Sequence, residues 1–349
     1  MLILSLGFLS SLFVFLEMAG VRKHTSRFFS VTPLLFLFVV LAFNRMNNDY
    51  LAYQNFFNSQ ENVEFGYSYL INIVSYFGND HDTIIFIVGS LFVFTFIKLM
   101  KDSRHVNLVI LLYCFFPLVM DINQTRNLIM YLIIMLSLAF ISKKKPLKYY
   151  LGVALASSFH RLGLIYVPFY YFCMKTRKQF IKIIWTLFVI FTVGSPLFIN
   201  LAGWLFPDKM KFYLTTKPDL GFILMIVYIA LDIYTVWWVD KRINNKLNEK
   251  ESEKLEVLYR FVWYSLLALP FTAYALEFQR VQRNALLVKF IYCSITMKYL
   301  TVRQRLFTFV LLLLSVLLPI LVMVYSGDLY LFEYFNENSI KYYLDRYMF

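Results

Sequence analysis

A series of long apolar runs constrains this chain more than any other feature. Leu2–Ala19, Ile84–Leu99 and Leu306–Tyr325 are examples, and runs of about 15 to 22 residues are long enough to cross a bilayer as helices. They lack the alternating polarity that the strands of a membrane barrel need. The pattern predicts an all-α fold, that of a polytopic integral membrane protein with about 10–12 transmembrane helices.

The composition agrees with a membrane location. Hydrophobic residues make up 60% of the chain and charged residues only 16%, whereas soluble domains are about half apolar and a quarter charged. The formal net charge of +13 comes mostly from short basic segments between apolar runs, as the positive-inside rule describes. The basic balance therefore indicates a lipid bilayer as partner and no nucleic acid.

The basic segments also give an expected topology. They predict a single polytopic membrane domain over residues 1–349, with an outer loop at 44–82, a cytoplasmic loop at 240–256 and an outer C-terminal tail at 326–349. The first apolar run lacks a basic start and a convincing cleavage site, so we interpret it as a span and not as a removed signal peptide. Tyr67–Phe77 is too short to cross, and we expect it to be interfacial or re-entrant.

One apolar segment, Tyr149–Met174, has basic loops at both of its ends. If both loops are cytoplasmic, a single crossing is excluded. The segment then consists of two half-length helices that meet near His160–Gly163, or of two tilted crossings. Gly163 supplies backbone freedom and Pro168 removes a helix hydrogen bond. We therefore expect a broken or re-entrant helical hairpin near 149–174, of the kind that membrane proteins tolerate where it lines a cavity.

Two ionisable residues stand out against this apolar background. Arg126 lies at the mouth of an apolar run, and His160 is the one histidine inside such a run. Charged groups in hydrocarbon cost roughly 2.5 to 3.5 kcal/mol each, so a chain that keeps them often uses them. Arg126 is suited to hold a phosphate, or it extends to lipid headgroups. His160 is suited to accept a proton from a hydroxyl, or it bonds a neighbouring helix carbonyl.

Further polar residues fall on the same predicted outer side. Asp49 and Glu64 are suited to act as a base or to bind sugar hydroxyls, although simple solvation is the default for acidic residues in a polar loop. Arg280 and Arg283 are three residues apart and share a helix face with Glu277. Two neighbouring cations suit a diphosphate. The alternative is an interfacial ion pair that contributes little stability.

Several motifs of other enzyme classes are absent from the sequence. There is no Walker loop, GxGxxG after a strand, GxSxG or HExxH. The three cysteines, Cys114, Cys173 and Cys293, stand singly, and no Cys/His spacing suggests zinc. The sequence therefore gives no support to ATP-driven transport or zinc peptidase chemistry.

An ordered set of motifs resembles the EpsG family of bacterial exopolysaccharide polymerases, within the broader Wzy-type polymerases. The set begins with NDYLAYQNFF and EFGYSYLINIVSYFG, continues with NQTRNLIMYLIIMLSLAFI and KYYLGVALASSFHRLGLIYVPFYYF, and ends with FQRVQRNALLVKFIY. The central block, from the arginine to the histidine, is the most specific part. The resemblance implies a glycosyltransferase of the bacterial cell membrane that joins lipid-linked oligosaccharide repeats on undecaprenyl diphosphate at the outer face of the membrane.

The resemblance, together with the polar residues, gives a hypothesis for the site. Three arginines hold the donor diphosphate and stabilise the charge that develops on it, without a metal or another cofactor. His160 is the general base for the acceptor hydroxyl, with Asp49 or Glu64 as the competing candidate. The three arginines are Arg126, Arg280 and Arg283. The other expected substrate-binding residues are Arg161, Gln124 and Glu277.

Other functions stay open at this stage. The chain is also compatible with a transporter or flippase of lipid-linked saccharides, although no inverted repeat is evident. A membrane O-acyltransferase or a glycan ligase would use a buried histidine as well. For the polymerase, a flippase and a chain-length regulator are further expected partners. The polymerase hypothesis requires that His160, Arg126 and the 280–283 pair share one cavity open to the outer leaflet.

Overall fold

The structure, a computed structural model, describes residues 10–17, 23–45, 49–59, 63–205, 220–243, 246–274 and 278–326. Every regular element in these ranges is helical, which confirms the all-α fold. Five helices there are long and apolar enough to cross a membrane, or six if one bent helix pair is counted as a span. The chain is a polytopic membrane protein, while the total of about 10–12 spans stays a prediction.

The described residues form two compact units. The first contains the described residues up to Val167, and the second is Pro168–Ser326. Each unit is described by itself below. The single membrane domain stays a prediction.

The first unit contains eight labelled helices. They are α1 (Lys23–Ala42), α2 (Tyr50–Ser59), α3 (Phe65–Tyr76), α4 (His81–Leu99), α5 (Val106–Phe115), α6 (Pro117–Asn123), α7 (Thr125–Ser142) and α8 (Pro146–Phe159), and residues 10–17 are also helical. Local signals set several of their ends. The side chain of Asp80 accepts a hydrogen bond from the Thr83 amide (3.3 Å) and caps α4. Pro117 and Pro146 begin α6 and α8, where a missing N–H costs nothing.

The segment 44–82, which the sequence predicts to be an outer loop, contains two helices in the structure. It contains α2, which the sequence analysis does not predict, and α3, which corresponds to the short apolar run. Tyr53 is the buried side chain of α2, and the Tyr50 hydroxyl bonds to Asp82. One side of α3 buries Ile71 and Val74, whereas Phe65 is 80% exposed. At twelve residues, α3 is too short to cross a bilayer.

The broken hairpin predicted near 149–174 has its break at His160. Helix α8 ends at Phe159, His160 has an extended backbone, and a 3₁₀ turn follows over Arg161–Tyr166. The buried Tyr149 hydroxyl donates to the carbonyl of Tyr166 (2.7 Å), so the turn is tied back to the first turn of α8. A second bend, of 63°, separates α5 from α6.

A buried carboxylate joins the beginning of the chain to α5. Glu17 Oε1 accepts hydrogen bonds from the Ser26 hydroxyl (2.6 Å) and from the Asn107 amide nitrogen of the backbone (3.1 Å). Its Oε2 accepts from the backbone N–H of Leu108 (3.3 Å). The first N–H groups of a helix have no hydrogen-bond partner within that helix. The Glu17 carboxylate therefore accepts the hydrogen bonds of two N–H groups in the first turn of α5.

The second unit is built around one buried helix. Its elements are α9 (Phe169–Cys173), α10 (Arg177–Leu205), α11 (Leu220–Ile243), α12 (Glu249–Tyr264), α13 (Leu269–Thr272), α14 (Gln279–Thr296) and α15 (Val302–Ser326), with 3₁₀ turns at Ser265–Ala268 and Met297–Tyr299. Every residue of α14 from Val281 to Thr296 is buried, although several of these residues are polar. The unit therefore carries polar side chains in its interior.

The predicted cytoplasmic loop at 240–256 is shorter in the structure. Helix α11 continues to Ile243, and α12 begins at Glu249. The Asn248 side chain accepts a hydrogen bond from the Glu251 amide (2.9 Å), which is an N-cap strong enough to start a helix in a charged segment. The tail predicted at 326–349 lies outside the described residues from position 327 onward.

Candidate functional site

Arg126 is half-buried at the beginning of α7 and is held by an acidic partner. Its Nη1 donates to Glu64 Oε2 (2.6 Å), and the two side chains are 19% and 16% exposed. Glu64 immediately precedes α3 and does not cap that helix with its side chain. Two residues that the sequence analysis singles out separately are therefore joined. One edge of the guanidinium is fixed by Glu64, and its Nε has no hydrogen-bond partner among the described residues.

Aromatic rings of α2 enclose the Arg126 guanidinium. Its Cζ lies 4.9 Å from the ring centroid of Phe56 and 5.7 Å from that of Tyr53, within the range of cation–π attraction. The backbone N–H of Arg126 also faces the Tyr53 hydroxyl, at 3.4 Å. Burial raises the pKa of Tyr53, so its phenol stays protonated at neutral pH. This setting strengthens the interaction of Arg126 with an anion, since little water screens it.

The backbone of α3 passes very close to α8 and brings His160 to the same end of the unit. A Cβ added to Gly66 would lie 2.9 Å from the carbonyl carbon and oxygen of Ser158. Gly66 is two residues from Glu64, and Ser158 is two residues from His160. The backbones of Gly66 and Ser158, each two residues from a predicted site residue, are therefore in close contact, while a site shared by His160 and Arg126 stays a prediction.

The His160 ring makes a local hydrogen bond that bears on its expected role. Nδ1 accepts from the backbone N–H of Leu162 (3.2 Å) and so caps the 3₁₀ turn. In a neutral imidazole with an accepting Nδ1, the proton lies on Nε2. Nε2 is then a donor and not a base. The general-base role of His160 stays a prediction, and the geometry favours the capping role.

The other predicted residues of the first unit lie close by or point elsewhere. The Asp49 carbonyl accepts from the Tyr53 amide (2.9 Å) at the start of α2. The Gln124 carbonyl accepts from the Leu128 amide (2.9 Å) at the start of α7, so Gln124 precedes Arg126 at the helix terminus. Arg161, in contrast, is exposed. A small pocket beside the start of α7 is lined by Asp121 and Thr125.

Arg280 and Arg283 belong to the second unit, at the N-terminal end of α14. Arg280 is half-buried and Arg283 is 5% exposed. Between them, Gln282 is buried, and neither of its side-chain amide atoms has a hydrogen-bond partner among the described residues. The sharing of one substrate by this pair and Arg126 stays a prediction. Glu277, the predicted acidic neighbour, lies outside the described residues.

The sequence analysis misses a buried ion pair in the second unit. Lys289 Nζ contacts the carboxylate of Asp232, and these side chains are 0% and 5% exposed. The Tyr228 hydroxyl lies within electrostatic reach of both Asp232 and Arg283. The signal was available, because Asp232 and Lys289 each interrupt an apolar run, and ionisable residues in such runs are uncommon.

A second charged network joins several helices of this unit. Arg177 Nε donates to Glu256 Oε2 (2.9 Å), and Arg177 also contacts Asp240. Arg260 Nε donates to Glu256 Oε1 (2.6 Å), while its Nη1 donates to the carbonyls of Cys173 (2.9 Å) and Lys175 (2.7 Å) after α9. Burial alone would raise the pKa of Glu256, but hydrogen bonds and charge from its two arginine partners lower it below the ordinary value. This network is structural, because its carboxylates are already paired.

Comparison with known proteins places the chain in a family. No curated protein and no solved structure matches it. The EpsG family matches residues 27–336, a range that includes the Arg126–Glu64 pair and both arginines of α14. Since this match covers most of the 349 residues, the chain belongs to the EpsG family, whose members are associated with polysaccharide polymerisation and glycosyltransferase-like activity.

Proposed function

We propose that this protein polymerises lipid-linked oligosaccharide repeats into an exopolysaccharide, a capsule or an O-antigen by glycosyl transfer at the outer face of the cell membrane. The donor is the growing glycan on undecaprenyl diphosphate, and the acceptor is a single lipid-linked repeat. The observation that carries the proposal is the half-buried Arg126, fixed by Glu64 and enclosed by aromatic rings.

The geometry of Arg126 suits a diphosphate. Glu64 occupies Nη1 and holds the guanidinium plane in one orientation, while Nε has no partner among the described residues. A guanidinium offers paired N–H groups along an edge, and phosphate oxygens match that edge with two parallel hydrogen bonds. Glu64 is therefore a positioning residue, and Arg126 is the residue that touches the leaving group.

The proposed reaction builds up negative charge on the leaving diphosphate, and this charge has to be stabilised. The bond between the anomeric carbon of the donor sugar and its diphosphate oxygen breaks, and the electron pair stays on the diphosphate. The acceptor hydroxyl oxygen bonds to the anomeric carbon and releases its proton. Arg126 stabilises the negative charge that grows on the leaving diphosphate, which is the electrostatic term that contributes most in many enzymes.

The test uses purified protein in proteoliposomes with a synthetic undecaprenyl-diphosphate-linked repeat, without nucleotide, acyl donor or ion gradient. Wild-type protein is expected to lengthen the glycan. Arg126→Ala should lower the rate about 10²- to 10³-fold, as the loss of one charge-stabilising donor does. Arg126→Lys should recover only part, because an ammonium cannot form the paired contact.

Lys143→Ala provides the matched control, since Lys143 is an exposed cation at the opposite end of α7. It should leave the rate unchanged. If the wild-type protein moves the lipid across the bilayer without lengthening the glycan, the protein is a transporter and the proposal is wrong. If Arg126→Ala lengthens the glycan as fast as the wild type, the role of Arg126 is wrong.

A further inference from the structure

His81 is a buried histidine that the function proposed above does not use. It is the first residue of α4 and is 3% exposed. Neither of its ring nitrogens has a hydrogen-bond partner among the described residues. A buried imidazole normally satisfies at least one nitrogen, and an exception calls for a physical explanation.

Aromatic residues of α2 surround the His81 ring. The Tyr53 ring stacks on it with centroids 6.2 Å apart and planes 5° apart, and Tyr50 meets it edge-on at 5.3 Å. The Tyr50 hydroxyl donates to Asp82 Oδ1 (2.8 Å), and Arg45 Nε pairs with Asp82 Oδ2 (2.9 Å). The ring is therefore fixed in place by packing, while its nitrogens lack polar partners among the described residues.

Tyr53 links His81 to the site of Arg126. The Arg126 Cζ lies 5.7 Å from the Tyr53 ring centroid, and the Tyr67 ring lies 5.9 Å from it. Tyr67 is fully buried, and its hydroxyl has no hydrogen-bond partner among the described residues. Residues of α3, α4 and α7 whose polar atoms have no partner in the described part of the chain thus border the ring of Tyr53.

We propose that His81 and Tyr67 form the subsite for the acceptor sugar, and that His81 is the general base for the attacking hydroxyl. This inference rests on the proposed function. The acceptor hydroxyl passes its proton to the neutral His81 imidazole as its oxygen bonds to the anomeric carbon. The donor diphosphate leaves at Arg126 with the electron pair of the broken bond, and the imidazolium later releases its proton to water.

The arrangement places the two chemical roles on different residues around Tyr53. The leaving group needs a cation, which Arg126 supplies, and the nucleophile needs a base, which His81 supplies. Tyr53 covers the subsite in this structure and is the one buried residue of α2. Binding of the acceptor sugar therefore requires the Tyr53 ring to move, and the sugar hydroxyls then supply hydrogen-bond partners to His81 and Tyr67.

The charges around His81 favour no other proton acceptor. The titratable groups that face it are Asp80, Asp82, Tyr50 and Tyr53, while Tyr67 and Arg126 contact the Tyr53 ring. Of the two carboxylates, Asp80 caps α4 and Asp82 is paired with Arg45. Of this set, His81 is thus the residue whose ring nitrogens have no hydrogen-bond partner among the described residues, and such a nitrogen is able to accept a proton from a bound hydroxyl.

The experiment measures glycan extension by His81→Gln and His81→Ala in the proteoliposome assay described above, over a range of pH. Loss of a general base lowers the rate about 10²- to 10⁴-fold. The fall of activity at acid pH, which a neutral imidazole base produces, should disappear in His81→Gln. Added imidazole should restore part of the rate of His81→Ala but not of His81→Gln.

The matched control is His105→Gln, because His105 is a buried histidine of the same unit, 4% exposed. It should retain the wild-type rate and pH profile. If His81→Gln has the wild-type rate, or keeps the wild-type pH profile, or if imidazole rescues neither variant, the inference is wrong. If the wild-type protein does not extend the glycan at all, the proposed function fails first.

Tyr67→Phe decides the matter if the His81 variants do not fold. Removal of the buried Tyr67 hydroxyl should not lower the melting temperature, because it makes no hydrogen bond with any of the described residues. If the hydroxyl binds the acceptor, the KM for the acceptor should rise roughly three- to tenfold. An unchanged KM would overturn the subsite.

Discussion

The buried pair of Asp232 and Lys289 gives the sharpest test of the interior of the second unit. We expect Asp232→Asn and Lys289→Met to destabilise the protein singly, and the double variant to recover most of the loss. Both side chains are almost inaccessible to water, at 5% and 0% exposure. Removal of one partner leaves the other charge buried without its counter-ion, which lowers the free energy of unfolding by about 3–5 kcal/mol.

The side chain that remains can become neutral by gaining or losing a proton. The free energy of that step is an upper limit on the cost of leaving it unpaired. An isolated Lys289 can lose its proton, and from an ordinary lysine pKa of about 10.4 this costs about 4 kcal/mol at pH 7.5. An isolated Asp232 can take up a proton at a cost of about 5 kcal/mol from an ordinary pKa of about 3.9. The two estimates agree with the range measured for broken buried pairs.

The surroundings make the two single variants unequal. Without Lys289, the Asp232 carboxylate still has the Tyr228 hydroxyl nearby, and Arg283 also lies within electrostatic reach of that hydroxyl. Without the Asp232 charge, Lys289 and Arg283 remain as two buried cations of like sign. We therefore expect Asp232→Asn to cost more than Lys289→Met.

The assay is unfolding in mixed detergent micelles, followed by tryptophan fluorescence, for the two single variants and the double variant. The control pair is Glu251 with Lys298, whose side chains are 27% and 19% exposed. Its coupling should be about 0–1 kcal/mol, as for other water-accessible pairs. If the losses at Asp232 and Lys289 add without coupling, or match the control pair, the reasoning from burial is refuted.

Three further predictions concern stability. Gly66→Ala should lower the free energy of unfolding by about 1–3 kcal/mol, because the new Cβ would lie 2.9 Å from the Ser158 backbone. The variant should have a lower melting temperature and slower glycan extension than the wild type. An unchanged melting temperature would contradict the close approach of the two helices. Tyr149→Phe should cost about 1–3 kcal/mol, since the buried carbonyl of Tyr166 loses its donor; thermal unfolding in detergent measures it, and a loss near zero would show that the hydroxyl does not hold the turn. The pKa of Glu256 is lowered, so its carboxylate stabilises the folded protein at pH values above the ordinary pKa of about 4.3. This stabilisation is lost as the pH falls below that value. The stability difference between wild type and Glu256→Gln should therefore shrink in acid, and a difference independent of pH would contradict the prediction.

The sequence predicts the features that depend on neighbours along the chain. Apolar length indicates the helices, and basic loops at both ends of one segment indicate the break that lies at His160. Arg126 at the start of a helix follows from the polarity change before α7. Each of these features needs only a few adjacent residues, so the pattern suffices to locate them.

The features that the sequence does not predict depend on contacts between distant residues. No local pattern shows that Glu64 pairs with Arg126, 62 positions away, or that Tyr53 stacks on His81. The polar composition of 44–66 indicates a loop, yet α2 forms there, and its Tyr50 and Tyr53 side chains contact Asp82 and His81, which follow much later in the chain. The pair of Asp232 and Lys289 was detectable as two charges in apolar runs, but their mutual contact was not.

The Glu17 carboxylate has a consequence for the order of synthesis. Its first partner, Ser26, follows nine residues later, whereas Asn107 follows ninety residues later. While the ribosome makes the intervening chain, the serine hydroxyl is the one partner of this set that has already emerged. Ser26→Ala should therefore reduce the yield of inserted protein more than the stability of the finished molecule, because the backbone amides of Asn107 and Leu108 still hold Glu17 in the finished protein.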